Sequence, residues 1–457
     1  MNTPDYFIAD LPAEALTPSI IAEACIAIKR NRAQFLLKRN TSSLIRTLVT
    51  VAEDWQDESY PFRQRALAEA PAEIGFSKEV IARGLDEFFA QITKKNLEEL
   101  IIQDLGHVNR LDEMTATDLE HGGERASRAI GSELLVHVAG GALPNPTLLS
   151  MMLGLLVRSA QFVKCPSGGA LIPRLLAHSI YAVDPKLGAC LELGAWAGGE
   201  AKNAPFEEAL FAHATCVTAT GSDETLAAVR SRLAGHVRFV GYGHRVSFAY
   251  VTAEMLSAFT LPKIVSKAVD DIAAWDQLGC LSPHAIYVET GGAISPDKFA
   301  ELLAAELAKR EKTHPRGELT FDEHADISRR RGFYEVRASH SSETRCWFSP
   351  ESTAWSVVFE ANPEFHGSSL NRFIHVRPVI DLDQLFLAID KLRGKVSTVG
   401  VAAAGATAAR IANHLAEWGV TRICPLGEMQ NPPLRWRHDG RPALGELVTW
   451  SDWEMEY

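Results

Sequence analysis

From residue 133 onward the chain alternates short apolar or β-branched runs with stretches of helical spacing, and this rhythm leaves few folds open. Segments 134–139, 162–164, 216–220, 239–242 and 249–251 read as strands, each separated from the next by helix-like sequence. Strands spaced this way imply βαβ units and a largely parallel sheet, because parallel neighbours need a crossover between them. A second series starts near Leu261, with a strand at 285–288, a helix at 296–310, a strand-rich region at 344–378, a helix at 382–392, a strand at 396–401 and a helix at 406–418. Ahead of both, residues 13–53 and 78–105 interleave charged and apolar positions at helical spacing. The expected class is α/β, in four segments: a helical lead-in over 1–130, an α/β domain over 131–255, a second over 256–425, and a tail over 426–457 rich in Pro, Trp and charge.

Composition narrows what such a fold does. The chain has 457 residues, 46% hydrophobic and 23% charged, enough for a large core in two or three domains. A formal charge of -11 argues against nucleic acid as a partner, since phosphate binding needs a surplus of Lys and Arg. Arg329-Arg330-Arg331 and Arg435-Trp436-Arg437 are local exceptions, read either as solvated faces or as contacts for a phosphorylated small molecule. No run approaches the ~20 apolar residues of a membrane helix, and 147–157 reads as a buried helix. Met1-Asn2-Thr3-Pro4-Asp5 has neither the basic nor the apolar region of a signal peptide. Seven scattered cysteines with no C-x-x-C pair fit a reducing cytoplasm. Glu323-His324 and the 340–343 segment have metal-ligand residue types without a metal-site spacing, so no metal is expected.

Three segments carry chemistry. Cys280 lies in Gln277-Leu278-Gly279-Cys280-Leu281-Ser282-Pro283, where a loop gives way to a strand. It is either an inert small hydrophobe or a nucleophile at a strand lip, with Gly279 allowing close approach of a substrate. His284 is read as structural. Lys164 leaves a strand before Cys165-Pro166-Ser167-Gly168-Gly169; it points either into a ligand crevice or out to solvent. Thr220-Gly221-Ser222 turns a strand into a helix, which makes either an anion site or an ordinary N-cap with Asp223 and Glu224 on the dipole. The aromatic set Trp347, Phe348, Trp355 and Phe359 reads as packed core or as the lining of an apolar channel.

Lys164-Cys165-Pro166-Ser167, Thr220-Gly221-Ser222 and Cys280, in that order and spacing, resemble the aldehyde dehydrogenase superfamily. Within it the chain is most similar to the LuxC-type acyl-CoA reductases, through His137-Val138-Ala139-Gly140-Gly141-Ala142-Leu143-Pro144, Phe239-Val240-Gly241-Tyr242-Gly243-His244-Arg245, His438-Asp439-Gly440 and Leu447-Val448-Thr449-Trp450. The resemblance covers about residues 130–457. It implies a Rossmann-type nucleotide-binding domain and an α/β catalytic domain, with Cys280 as nucleophile on an acyl thioester, from acyl-CoA or an acyl-carrier protein, and aldehyde as product. Lys164 would reach the adenosine ribose, and Thr220, Gly221 and Ser222 would face the pyrophosphate. Ser167 stands where NAD-preferring relatives carry a glutamate, so NADPH is expected, with NADH as the other possibility. Relatives form dimers or larger assemblies, so a homo-oligomer is expected.

Two departures bear on mechanism. Relatives place an asparagine amide in the oxyanion hole at the position occupied here by Ala142, so either Asn145 substitutes from a shifted loop, or the Cys280 N–H works alone, or activity is low. Gly241-Tyr242-Gly243-His244-Arg245 lacks the glutamate that activates water in hydrolytic relatives, which favours thioester reduction, with His244 either a candidate acid/base group or a structural histidine after a glycine turn. An oxidative aldehyde dehydrogenase and a non-catalytic nucleotide- or carrier-binding homologue remain the alternatives.

Overall fold

A computed structural model describes residues 4–117, 120, 125–141 and 143–454. The chain forms two compact units. The first comprises 1–74, 85–243 and 433–457, and the second 75–84 and 244–432.

In the first unit, β1 (Arg125–Gly131) precedes five parallel strands: β2 (Leu134–Val138), β3 (Ala160–Cys165), β4 (Leu191–Ala195), β5 (Cys216–Thr220) and β6 (Arg238–Tyr242). Their order across the sheet is β4-β3-β2-β5-β6. The chain builds outward from β2 to β4, then returns to the other side of β2 with β5, so a topological switch lies between β2 and β5. Helices Pro18–Asn31 and Ala204–Phe211 cover one face of this sheet. Helix Asn145–Leu156, the apolar run of the sequence, is buried through Thr147, Leu148 and Met151–Leu156. At the centre of the sheet His137 is buried and hydrogen-bonded at both ring nitrogens, to Thr218 Oγ1 at 2.7 Å and Gln161 Oε1 at 2.8 Å. It therefore rivets β2 to both neighbours, and burial pushes its pKa down to about 4.

The second unit holds a seven-strand sheet: β7 (Val246–Val251), β8 (Pro283–Glu289), β9 (Thr344–Phe348), β10 (Ser356–Glu360), β11 (Phe373–Val379), β12 (Val396–Ala402) and β13 (Arg422–Pro425). The order is β13-β12-β7-β8-β11-β10-β9, parallel except for the antiparallel edge strand β9. Helices Leu261–Ala273 and Pro296–Thr313 pack on one face and helices Leu382–Ala388 and Gly405–Trp418 on the other. The final strand, β14 (Val448–Glu454), returns to the first unit and pairs antiparallel with β1.

Several sequence expectations change in detail. The chain leaves the first unit between Gly243 and His244, so β7, expected at the end of the first α/β domain, is a central strand of the second sheet. The long helical runs are broken where a polar cap starts a new helix: Asn40 Oδ1 accepts from Ser43 N, and Thr93 Oγ1 from Asn96 N. Strand β4 was not predicted, because Leu-Glu-Leu-Gly-Ala has no β-branched residue. Helix Phe321–His340 was also missed, since only Ile327 and Tyr334 of its mostly polar sequence are buried. Glu323 caps that helix and His340 ends it, so the two are not one cluster.

Candidate active site

At the carboxyl edge of the five-strand sheet, the switch point is formed by backbone. A Cβ on Gly140, just past β2, would lie 2.1 Å from the Thr220 carbonyl oxygen at the end of β5, so only glycine allows this approach. Gly141 follows with φ +76°, and nothing within 4 Å fills the space beside it. Beyond Thr220, Gly221 N donates to Tyr242 O at 3.2 Å, and Ser222 Oγ caps helix Asp223–Ser231 by accepting from Thr225 N at 3.2 Å. The ordinary N-cap is thus present, with Asp223 and Glu224 in the first turn.

Lys164 does not reach out to solvent: it is 5% exposed, its ammonium lies 5.9 Å from the Trp196 ring centre, and burial lowers its pKa against the pull of Glu207. Ser167, beyond the end of β3, is exposed. A glycine-lined crevice at a switch point, a helix N-terminus and a nearby lysine fit a dinucleotide. Asn145 is half-buried at the first position of helix Asn145–Leu156, and Ala142 lies outside the described residues.

In the second unit Cys280 is exposed, in the turn that enters β8 at its amino end. Ser282 N donates to Gly279 O at 2.9 Å, which closes a four-residue turn with Cys280 and Leu281 at its centre. The Cys280 carbonyl accepts from Ser247 Oγ of β7 at 2.8 Å, and that oxygen also accepts from Thr398 N of β12 at 3.2 Å. Gly279 serves a neighbour within the fold: a Cβ there would lie 2.4 Å from Gln430 Nε2. Gln430 Nε2 donates to the fully buried Ser282 Oγ.

The approach to the turn is strained and pinned. Trp275, Asp276 and Gln277 have φ of 49°, 49° and 67°, and Leu370, Asn371 and Arg372 have 59°, 54° and 64°. Two such runs of non-glycine residues persist only where surroundings over-determine them. Here the buried Arg372–Asp276 ion pair, at 2.6 Å, ties one run to the other. Gln277 Nε2 adds bonds to Pro283 O at 2.7 Å and Phe373 O at 3.0 Å.

His244 is exposed just before β7. His284 accepts from Ser368 N through Nδ1 at 3.3 Å, and burial, with a smaller push from His244, lowers its pKa to about 4. It is neutral at neutral pH and suits a structural role. The aromatic set is core: Trp355 and Phe359 are buried on one face of the sheet, Trp347 packs with them, and Phe348 packs on the other. Of the basic runs, Arg331 turns inward to Ser349, Ser356 and Trp355 O, while Arg435 pairs with Glu99.

Sequence reasoning put Cys280 in the loop before a strand, where the structure has it, and did not foresee Ser247, Gln430 or the Asp276–Arg372 pair around it. The glycine before Cys280 was the one visible signal of a close neighbour. Among the described residues, no helix is long and apolar enough to cross a membrane, and no three His, Cys, Asp or Glu side chains are grouped to hold a metal ion.

The family model described as "Acyl-CoA reductase (LuxC)" matches residues 36–450. "Long-chain acyl-protein thioester reductase 2" of Photobacterium leiognathi is 23% identical over 90% of this chain and 82% of its own length. "Long-chain acyl-protein thioester reductase" of Vibrio harveyi is 22% identical over 93% and 84%. Among solved structures, bifunctional proline utilization A (PutA) superposes with a TM-score of 0.72 at 17% identity over 98% of this chain, which spans 46% of that protein. An NAD-dependent benzaldehyde dehydrogenase from Corynebacterium glutamicum superposes with a TM-score of 0.69 at 12% identity, over 95% of this chain and 90% of its own. Glyceraldehyde-3-phosphate dehydrogenase GapN from Methanocaldococcus jannaschii, complexed with NADP, gives 0.67 at 12% identity over 99% of both chains. The chain belongs to the LuxC acyl-CoA reductase family and is an oxidoreductase of that type on an aldehyde dehydrogenase fold.

Proposed function

We propose that this protein reduces an acyl thioester, supplied as acyl-CoA or on an acyl-carrier protein, to an aldehyde, with NADPH as hydride donor and Cys280 as covalent nucleophile. The observation that carries the reading is the exposed thiol of Cys280, held in a tight turn at the amino end of β8, in a chain that matches the family over 36–450. The Cys280 thiolate attacks the acyl carbonyl, the carbon–sulfur bond to the carrier breaks, and the acyl group remains on Cys280. The leaving thiolate takes a proton, for which exposed His244 is the candidate donor. When bound, reduced nicotinamide supplies a hydride to the thioester carbon. The tetrahedral adduct on Cys280 then collapses, releasing aldehyde and returning the thiolate.

The first unit is read as the cofactor domain, with Gly140, Thr220, Gly221 and Ser222 at the pyrophosphate and Lys164 at the ribose. Support for NADPH over NADH is the pairing of Lys164 with a serine, not a carboxylate, at 167. Asn145 is the proposed second oxyanion donor, in addition to the Cys280 N–H. The β1–β14 ribbon exposes Ile130, Trp450 and Trp453, which supports a homo-oligomer. Scattered cysteines support the cytoplasm as its compartment.

The test is NADPH and NADH oxidation with acyl-CoAs from short to long chain, comparing wild type with Cys280→Ala. Aldehyde formed only by the wild type, and faster with NADPH, is the expected result. Acid formed from aldehyde without added thiol would favour the oxidative reading. Absence of both turnover and acylation of Cys280 with CoA and carrier-protein substrates would favour a binding homologue.

A further inference from the structure

The segment after β13 is fixed from several sides. Leu426 and Met429 are buried in the core of the second unit. Arg422, itself buried, donates to Met429 O at 2.6 Å and Glu428 O at 2.7 Å. Buried Asp271 accepts from Gly427 N at 2.6 Å and Met429 N at 2.8 Å. Gly400 of β12 has no Cβ because Met429 Sδ would lie 2.6 Å from one. Four consecutive residues of a connecting segment are therefore locked in place, and the fifth is Gln430.

The Gln430 amide lies against Gly279 and bonds Ser282, the first and last residues of the turn that presents Cys280. Arg422 is also within electrostatic reach of the Cys280 thiol. Of the four turn residues only Cys280 is exposed; Gly279, Leu281 and Ser282 are buried, and the Cys280 carbonyl also accepts from Ser247 Oγ.

We infer that Gln430 is a positioning residue for the nucleophile: its amide, carried by the locked 426–429 segment, clamps the Gly279–Ser282 turn and fixes the direction of the Cys280 thiol. This rests on the reading of Cys280 as the nucleophile. Each contact that holds this turn matters to the thiol, because a displacement of about 1 Å at a reacting group costs on the order of a hundredfold in rate.

The experiment compares wild type, Gln430→Ala, Ser282→Ala and the double variant. Readouts are kcat and KM for acyl-CoA and NADPH, and the pH profile of iodoacetamide alkylation followed by peptide mass at Cys280. Each single variant is expected to lower kcat and the alkylation rate by about tenfold or more, to alter the alkylation pH profile, and to leave KM for NADPH unchanged. The double variant should lose little beyond either single one, since both remove the same brace. Wild-type kcat and an unchanged alkylation profile in both single variants overturn the inference. If Gln430→Ala fails to fold, Ser282→Ala decides alone by the same readouts. If Cys280→Ala keeps its turnover, the functional reading has failed instead, and the brace is judged by the alkylation profile.

Discussion

The two sheets present their candidate chemistry at opposite ends of their strands. In the five-strand sheet, Gly140, Thr220 and Gly221 lie at or just past the carboxyl ends of β2 and β5, and the crevice there follows from strand order and from missing side chains. In the seven-strand sheet, Cys280 sits at the amino end of β8, held by Ser247, Gln430 and the pinned run 275–277. A switch point makes a cofactor crevice by topology, because neighbouring crossovers diverge there and leave room. A turn that presents one exposed residue has no such guarantee, and side chains from distant segments hold it.

The largest effect that separates the two regions is expected from Arg372→Met. It strands the buried Asp276 carboxylate and releases the left-handed run before Cys280, costing about 3–5 kcal/mol. Denaturant unfolding with hydrogen exchange should show the loss in the second unit, and equal loss of protection in the first unit would break the comparison.

Gly140→Ala is next. Its Cβ meets the Thr220 backbone, so β2 and β5 must spread, at about 1–3 kcal/mol with a raised KM for NADPH. Gly279→Ala provides the contrast, since its Cβ meets the end of a side chain that can swing away. It is expected to cost less than about 1 kcal/mol in stability, to lower kcat and to leave KM for NADPH alone. Melting temperatures and steady-state kinetics on the two alanine variants sharpen the distinction, and identical profiles would remove it.

Lys164→Met should raise KM for the cofactor by about tenfold, or about 1.4 kcal/mol, with Cys280 alkylation unchanged. A change in alkylation without a change in KM would move Lys164 out of the cofactor site.

The last prediction concerns pH. Burial pushes Asp271 up to about 7 from 3.8, opposed by its bonds from Gly427 and Met429, raised further by Asp270 and lowered by Arg422. The folded state thus holds a proton that the unfolded state has lost, and the stability this contributes is present at low pH and disappears as pH rises through about 7. Relative to wild type, Asp271→Asn should gain stability between pH 5 and 7, by at most about 1.4 kcal/mol per pH unit. Unfolding midpoints across that range test the sign, and a constant difference would contradict it.

Most strands were legible because β-branched or apolar runs of about three to six residues are short-range signals; β2, β3, β5 to β8 and β12 all coincide with segments read from sequence. The exceptions have local causes. Strand β4 carries Glu192 facing inward, where it accepts from Ile8 N at 2.8 Å and burial lifts its pKa to about 7, a partnership no window of sequence displays. Buried histidines differ in the same way: His137 has two partners, whereas neither His375 ring nitrogen has one among the described residues, and both residues look alike in sequence.

By itself the sequence determined the α/β class, the family and the position of Cys280 before a strand, because hydrophobic period, glycine turns and motif order are all local or ordinal properties. Tertiary structure alone decided that Gly140 touches Thr220, that Arg372 pairs with Asp276, and that Gln430 braces a turn on the far side of the sequence. Contacts between residues about 80 to 150 positions apart depend on strand order and loop packing, which no single segment encodes.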